Sequence, residues 1–369
     1  MVITTCLKPI SGCLVTVHRK DAIIASFNID PRSFKPVLKE LPSQIQVTIH
    51  RQHALGTARA SQELLGFIRF NKNAGSLELT NFQAELSVQH LSLGGTTKRG
   101  QDRFAGIHGE GFKLAALVMR RNEHAVRFGA SSYYWNFRFR GVATSNFCCR
   151  LSRPKPEIIQ RKKEAFARRA ASSGRRGLTS NMWEDVTVKI SKGRGDCGMK
   201  ILEADFRSWL DVAIDIVGPQ SEDIVQTNYG DLVLDKHFSG QIYLKGLRIP
   251  GHGPDGKVYS FGYNFVRGSI NRDRERLMNR SEEAKMLAMI WEQSIAGRGD
   301  AITDIYIKLF RDCQECADIA FAEEKVSISV AKAVWNRLRM ASPNAFFYSE
   351  KNNSESDTAD LVKCCLPLN

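Results

Sequence analysis

The stretch from Leu91 to Arg121 concentrates the residues that can do chemistry. Glycines at 94, 95, 100, 106, 109 and 111 run straight into the apolar, helix-like LAALVM. Glycines ahead of a helix let the backbone fold back tightly. The first N–H groups are then free at the positive end of the helix dipole, which makes an anion cradle. Lys98, Arg99 and Lys113 add positive charge beside it, so phosphate is the expected ligand. The order Gly106-x-x-Gly109-x-Gly111 is not the GxGxxG of dinucleotide folds. Gly251 to Lys257 fits GxxxxGK, but Val258 follows where Ser or Thr would hold magnesium. That run reads as a turn. Glu110, between two glycines, reads as a cap or an ion-pair partner, and His108 as a loop residue without a metal role.

Elements must position this cradle. IQVTIH (45–50), LGFIRF (65–70) and LELTNF (77–82) alternate as strands do, and so do HAVRFGAS and YYWNFRFR, which ends at Arg140. DAIIASFNI (21–29) has helical spacing. DVTVKI (185–190) reads as a strand and EADFRSWLDVAIDI as the helix after it. QIYLKGLRI (241–249) and KVYSFGYNF (257–265) flank a Pro/Gly turn and read as a hairpin. Three helices follow: one from Ser281, with Glu282 and Glu283 placed to cap it, and others over about 301–320 and 327–341. The polar tail from about 350 is expected to fray.

The 369 residues suit two domains. Hydrophobic residues at 43% and charged residues at 25% exclude disorder over the whole chain. No apolar run approaches the ~20 residues of a membrane span, and no signal peptide is expected at the N-terminus. Nine cysteines in a chain this long do not make a secreted disulfide framework, which points to an intracellular protein, cytoplasmic or nuclear. Cys313 and Cys316, on one face of the expected 301–320 helix, read as core packing rather than half a zinc site. The net charge of +14 allows an anionic partner. Over half of that charge falls in residues 150–177, with ten Lys or Arg against two Glu. This zone reads as an exposed loop with a short helix, without the interleaved aromatics of a single-strand stacking platform.

Residues 77–130 resemble the GHKL ATPase superfamily, which includes heat-shock chaperones, gyrase-type topoisomerases, MutL-type repair proteins, sensor kinases and MORC proteins. LELTN matches the strand before the D-x-G-x-G turn, LGGTTKRG the lid, and GIHGEGFKLAAL the G-x-x-G-x-G box with its helix. VRFGAS, YYWNF and VTVKIS match later strands and EADF the next helix, extending the likeness over most of 77–217. The resemblance implies an α+β, Bergerat-type two-layer sandwich: a mixed, mostly antiparallel sheet with helices on one face. It also implies ATP with magnesium and nucleotide-dependent lid closure with homodimerisation. Asn81 stands at the adenine-binding aspartate position and can still accept a hydrogen bond, while Gln83 and Glu85 replace both glycines of that turn. In E-x-x-x-N-x-x-D-A, Asp21-Ala22 match the end, but His18 replaces the magnesium-binding Asn and Leu14 the general base. Hydrolysis is therefore expected to be weak or absent, because leucine has no titratable group and magnesium prefers oxygen. The abrupt break before Asp21 makes residues 1–18 an unnatural start for the family.

The expected organisation is an ATP-binding domain over 1–217 with the basic insertion 150–177, a smaller transducer-like α+β domain over 218–345, and a tail over 346–369. In such a second domain a lysine reaches the γ-phosphate, and Lys245 takes that role by position. Arg272, Asp273 and Arg274 read as a salt-bridged corner. The alternative is a non-catalytic scaffold that binds nucleic acid or protein through 150–177.

Overall fold

The computed structural model describes residues 4–6, 34–51, 63–91, 111–141, 146–173, 178–192, 198–216, 218–249, 253, 256–268, 280–313, 316–320 and 322–343. The fold is mixed α+β, with one large and one small sheet. Strands of the large sheet are β1 (Thr4–Cys6), β2 (Phe34–Leu41), β3 (Gln44–Arg51), β4 (Leu64–Asn71), β5 (Ser76–Asn81), β6 (Ala125–Ala130), β7 (Tyr133–Arg140), β8 (Asn146–Ser152) and β9 (Val186–Ser191). Their order is β1-β8-β7-β6-β9-β5-β4-β3-β2, and every neighbouring pair is antiparallel. This sheet is thus not mixed. β9 arrives late in sequence yet lies between β5 and β6, so those two strands run parallel to each other with β9 reversed between them.

Alternation along the strands divides the sheet's two faces. Ile45, Val47, Ile68, Phe70, Leu77, Leu79, Val126, Phe128, Trp135 and Phe137 point to one core. Helices α1 (Gly111–Arg121) and α3 (Glu203–Leu210) cover it with Ala116 and Met119, and with Phe206, Trp209 and Leu210. Between them in sequence lies α2 (Pro156–Ser173), of 18 residues. Lys162 Nζ on α2 donates to the Tyr134 hydroxyl at 3.2 Å, and Tyr134 alternates with the core residue Trp135. Helix α2 therefore lies on the opposite face, and the expectation of helices on one face alone fails.

The short helix expected within 150–177 is instead this long one, preceded by strand β8, whose Cys149 and Leu151 fill the core. The helix expected over 203–216 stops at Leu210, because residues 212–214 bond to the second sheet. Arg248 N donates to Val212 O at 2.8 Å and Ile214 N to Gly246 O at 3.1 Å.

The second sheet comprises β10 (Ile224–Gln226), β11 (Gly230–Val233), β12 (Ile242–Leu244), β13 (Leu247–Ile249) and β14 (Gly262–Phe265), in the order β10-β11-β14-β12-β13. The hairpin expected across the Pro/Gly stretch is not formed. β12 turns at Lys245-Gly246 into β13, while β14 pairs parallel to β12 and antiparallel to β11. Helices α4 (Arg280–Arg298), α5 (Asp300–Asp312), α6 (Ala322–Lys325) and α7 (Ile328–Ala341) follow. Trp291, Ile302, Tyr306 and Val330 pack with Tyr259, Tyr263 and Phe265. Ser327 caps α7, its hydroxyl accepting from Val330 N at 3.4 Å. The CxxC pair does not share one helix: Cys313 ends α5 and Cys316 begins a 3-10 turn. Cys316 packs in the core, and burial pushes its thiol up to about 11. Residues 21–29, 272–274 and the tail 346–369 lie outside the described residues. Among the described residues, no helix is long and apolar enough to cross a membrane.

Candidate functional site

Strand β5 ends at Asn81, paired with Val186 of β9 and Gly66 of β4. The chain then turns, and Gln83 adopts φ 50°. That is the left-handed region, which glycine enters freely and other residues at a cost of about 1–2 kcal/mol. Gln83 stands where the resemblance places a glycine.

What holds Gln83 there is Asp185. Its carboxylate is fully buried, with Oδ1 accepting from Gln83 N at 3.1 Å and Oδ2 from Asn181 N at 2.9 Å. Asn181 Oδ1 in turn accepts from Glu184 N at 2.8 Å. One carboxylate thus ties the end of β5 to the entry of β9. Beside it, Thr80 Oγ1 donates to Thr187 Oγ1 at 3.3 Å, and both threonines are buried. Asp185, Asn181, Thr80 and Thr187 were not legible as site residues in the sequence. Thr80 falls on the polar phase of Ser76-Leu77-Glu78-Leu79-Thr80, so the alternation does not mark it.

Helix α1 starts at Gly111. A Cβ built at Gly111 would meet nothing within 4 Å, so the fold does not require glycine there. Lys113 is only 6% exposed, its Nζ 5.7 Å from the centroid of the Phe112 ring. No acidic residue stands in the first turn.

Lys245 lies at the tip of the β12–β13 hairpin, with φ 53° beside Gly246 at 79°. Its N–H donates to Phe265 O at 2.7 Å. Asn81, Gly111 and Lys113 thus belong to the large sheet and its covering helix, whereas Lys245 belongs to the small sheet. Lys98, Gly106 and Gly109, together with Arg99, His108, Glu110, Leu14 and His18, lie outside the described residues.

The polar face of β5 carries Glu78, flanked by Arg69 on β4 and Lys189 on β9. Lys189 Nζ lies 3.2 Å from Oε1, and Arg69 Nη2 donates to Oε2. Burial alone would raise this carboxyl, but the two cations outweigh it and hold it below its ordinary 4.5. No family model matches the chain, and no curated protein matches it.

Proposed function

We propose that this chain is a nucleotide-binding protein of the GHKL type, a Bergerat-fold ATP switch with weak or absent hydrolysis. The observation that carries this reading is the start of α1 at Gly111, the last glycine of the run, with that helix packed on the core of the large sheet through Ala116 and Met119. Such a terminus attracts phosphate. The positive φ at Gln83 supports the same reading, since the turn after β5 keeps the backbone course that glycine would take. In this reading Gly106, Gly109 and Gly111 approach the phosphates with Lys98 and Lys113. Asn81 accepts from the adenine amino group, Lys245 answers the γ-phosphate, and magnesium accompanies ATP. Leu14 and His18 leave hydrolysis without its expected base and metal ligand. Lid closure would bring two copies together.

The test is calorimetric titration with a non-hydrolysable ATP analogue, with and without magnesium. Saturable binding is expected, and Gly111→Ala should weaken it at least ten-fold. That variant has room for its methyl group, and Ala favours a helix over Gly by about 1 kcal/mol. Its melting temperature should therefore hold or rise. No binding of millimolar analogue by a folded chain would overturn the reading.

A further inference from the structure

The face of the large sheet opposite its core carries a row of polar residues in register across eight strands. Lys39 on β2 pairs with Gln46 on β3, Gln46 with Arg69, Arg69 with Glu78, and Glu78 with Lys189. Lys189 pairs with Arg127, Arg127 with Asn136, and Asn136 with Arg150. Directly paired residues of antiparallel strands share a face, so all eight stand on one side. Seven strand spacings of about 4.8 Å make this row about 34 Å long.

Charge along the row is unequal. Glu78 engages Arg69 and Lys189 in the middle. Towards β8, Arg127 and Arg150 are exposed. Arg138 and Arg140 join them from β7, being two and four residues beyond Asn136 and so on the same face. Among the described residues, no carboxylate forms an ion pair with any of these four. Arg138 Nε is buried with no hydrogen-bond partner. Burial, with repulsion from Arg140 and Arg150, pushes its guanidinium below the usual value. Four guanidinium groups gathered on three adjacent strands without a paired carboxylate make a positive surface that attracts anions. Helix α2 adds exposed Arg161, Arg168 and Arg169 on this side.

We infer that this sheet face binds the phosphate backbone of a nucleic-acid duplex, with Arg127, Arg138, Arg140 and Arg150 as the principal contacts. A phosphate chain fits because the row is extended, cationic and free of apolar side chains. Its length is about one duplex turn. A single strand fits poorly, because bases need open aromatic faces and these are occupied. The Arg127 guanidinium lies 4.4 Å from the Tyr134 ring centroid, and Lys162 lies 5.9 Å from it. Trp183 is met by Lys163 and Phe166. The inference does not depend on ATP binding, and it places the interface on the sheet rather than within 150–177 alone.

Fluorescence anisotropy with the full chain, no nucleotide and a labelled 20-base-pair DNA duplex tests it between 50 and 200 mM salt. The affinity should fall linearly with salt on logarithmic axes. Combined Arg127→Gln, Arg138→Gln, Arg140→Gln and Arg150→Gln should flatten the slope by about 3.6, at roughly 0.9 for each phosphate left without its cation. Arg161→Gln with Arg168→Gln and Arg169→Gln on α2 should flatten it less. If the fourfold variant does not melt cooperatively, the exposed single change Arg140→Gln should still flatten the slope by about 1. The inference is overturned if the sheet variants bind the duplex like the unchanged chain. It is equally overturned if the α2 variant alone abolishes binding, if a 20-nucleotide single strand binds more tightly, or if phosphatidylserine vesicles bind and the duplex does not.

Discussion

At the scale of residues, Gln83 and Asp185 are two halves of one device. The positive φ of Gln83 is unfavourable by itself, and the buried Asp185 carboxylate compensates through the Gln83 N–H. Gln83→Gly should therefore raise stability by about 1 kcal/mol, read as a rise in melting temperature. Asp185→Ala should lower it by about 1–3 kcal/mol, because two buried N–H groups lose their acceptor. Glu78 adds a pH dependence. The folded chain holds its proton more weakly than the unfolded chain, so its stabilisation is complete above pH 4.5 and drains away as pH falls below that. Melting curves of Glu78→Gln and the unchanged chain should differ at pH 7 and draw together as pH falls below 4.5.

At the scale of elements, the Lys245-Gly246 turn separates two effects. A two-residue loop with positive φ at both positions is a type I′ turn, for which Asn-Gly is favoured. Lys245→Asn should keep or slightly improve stability. Any fall in affinity for the ATP analogue then reports the missing ammonium and not a broken hairpin. Equal affinity would remove Lys245 from the nucleotide site.

Strands β3 to β7 and β9 were legible because each has one buried face, and alternation records it directly. β2 escaped because it is an edge strand with Pro36 in it and Val37 and Leu38 exposed, so its pattern hardly alternates. β8 and α2 were masked by the basic residues around them. A charge run shows which side chains stay in water, not which backbone they stand on. The early end of α3 and the true β12–β13 hairpin depend on pairings between residues 212–214 and 246–248, which no local window contains. Asp185 was not legible, because its meaning comes from Gln83, 102 residues away.

At the scale of the whole molecule, the two sheets carry carboxyls that titrate in opposite senses. Beside the second sheet, Asp318 is 5% exposed. Its carboxylate accepts from the Tyr263 hydroxyl at 2.6 Å, Ser260 N at 2.7 Å and Phe261 N at 3.3 Å. Trp291 Nε1 donates to the Tyr263 oxygen at 3.1 Å, and the Tyr259 hydroxyl donates to Glu283. Burial raises the Asp318 carboxyl above 3.8, despite these donors. Its contribution is therefore full below pH 3.8 and lost as pH rises through the folded value, the reverse of Glu78. Asp318→Asn replaces one acceptor oxygen with a donor and should cost about 1–3 kcal/mol at neutral pH. Its deficit should narrow, relative to Glu78→Gln, as the buffer is made less acidic, and chemical denaturation across pH 4–7 measures it.

The place of β9 has a consequence for how the chain is made. β2 to β5 form one run of consecutive hairpins and β6 to β8 another, each closable as soon as it leaves the ribosome. Until residues 186–191 emerge, β5 and β6 each present an open row of backbone donors and acceptors. Translation thus passes through an interval of more than thirty residues, including all of α2, in which two half-sheets wait with their inner edges unprotected. A stall in that interval exposes the two edges on which a second nascent chain can add a strand, so slower synthesis across α2 should raise the aggregated fraction.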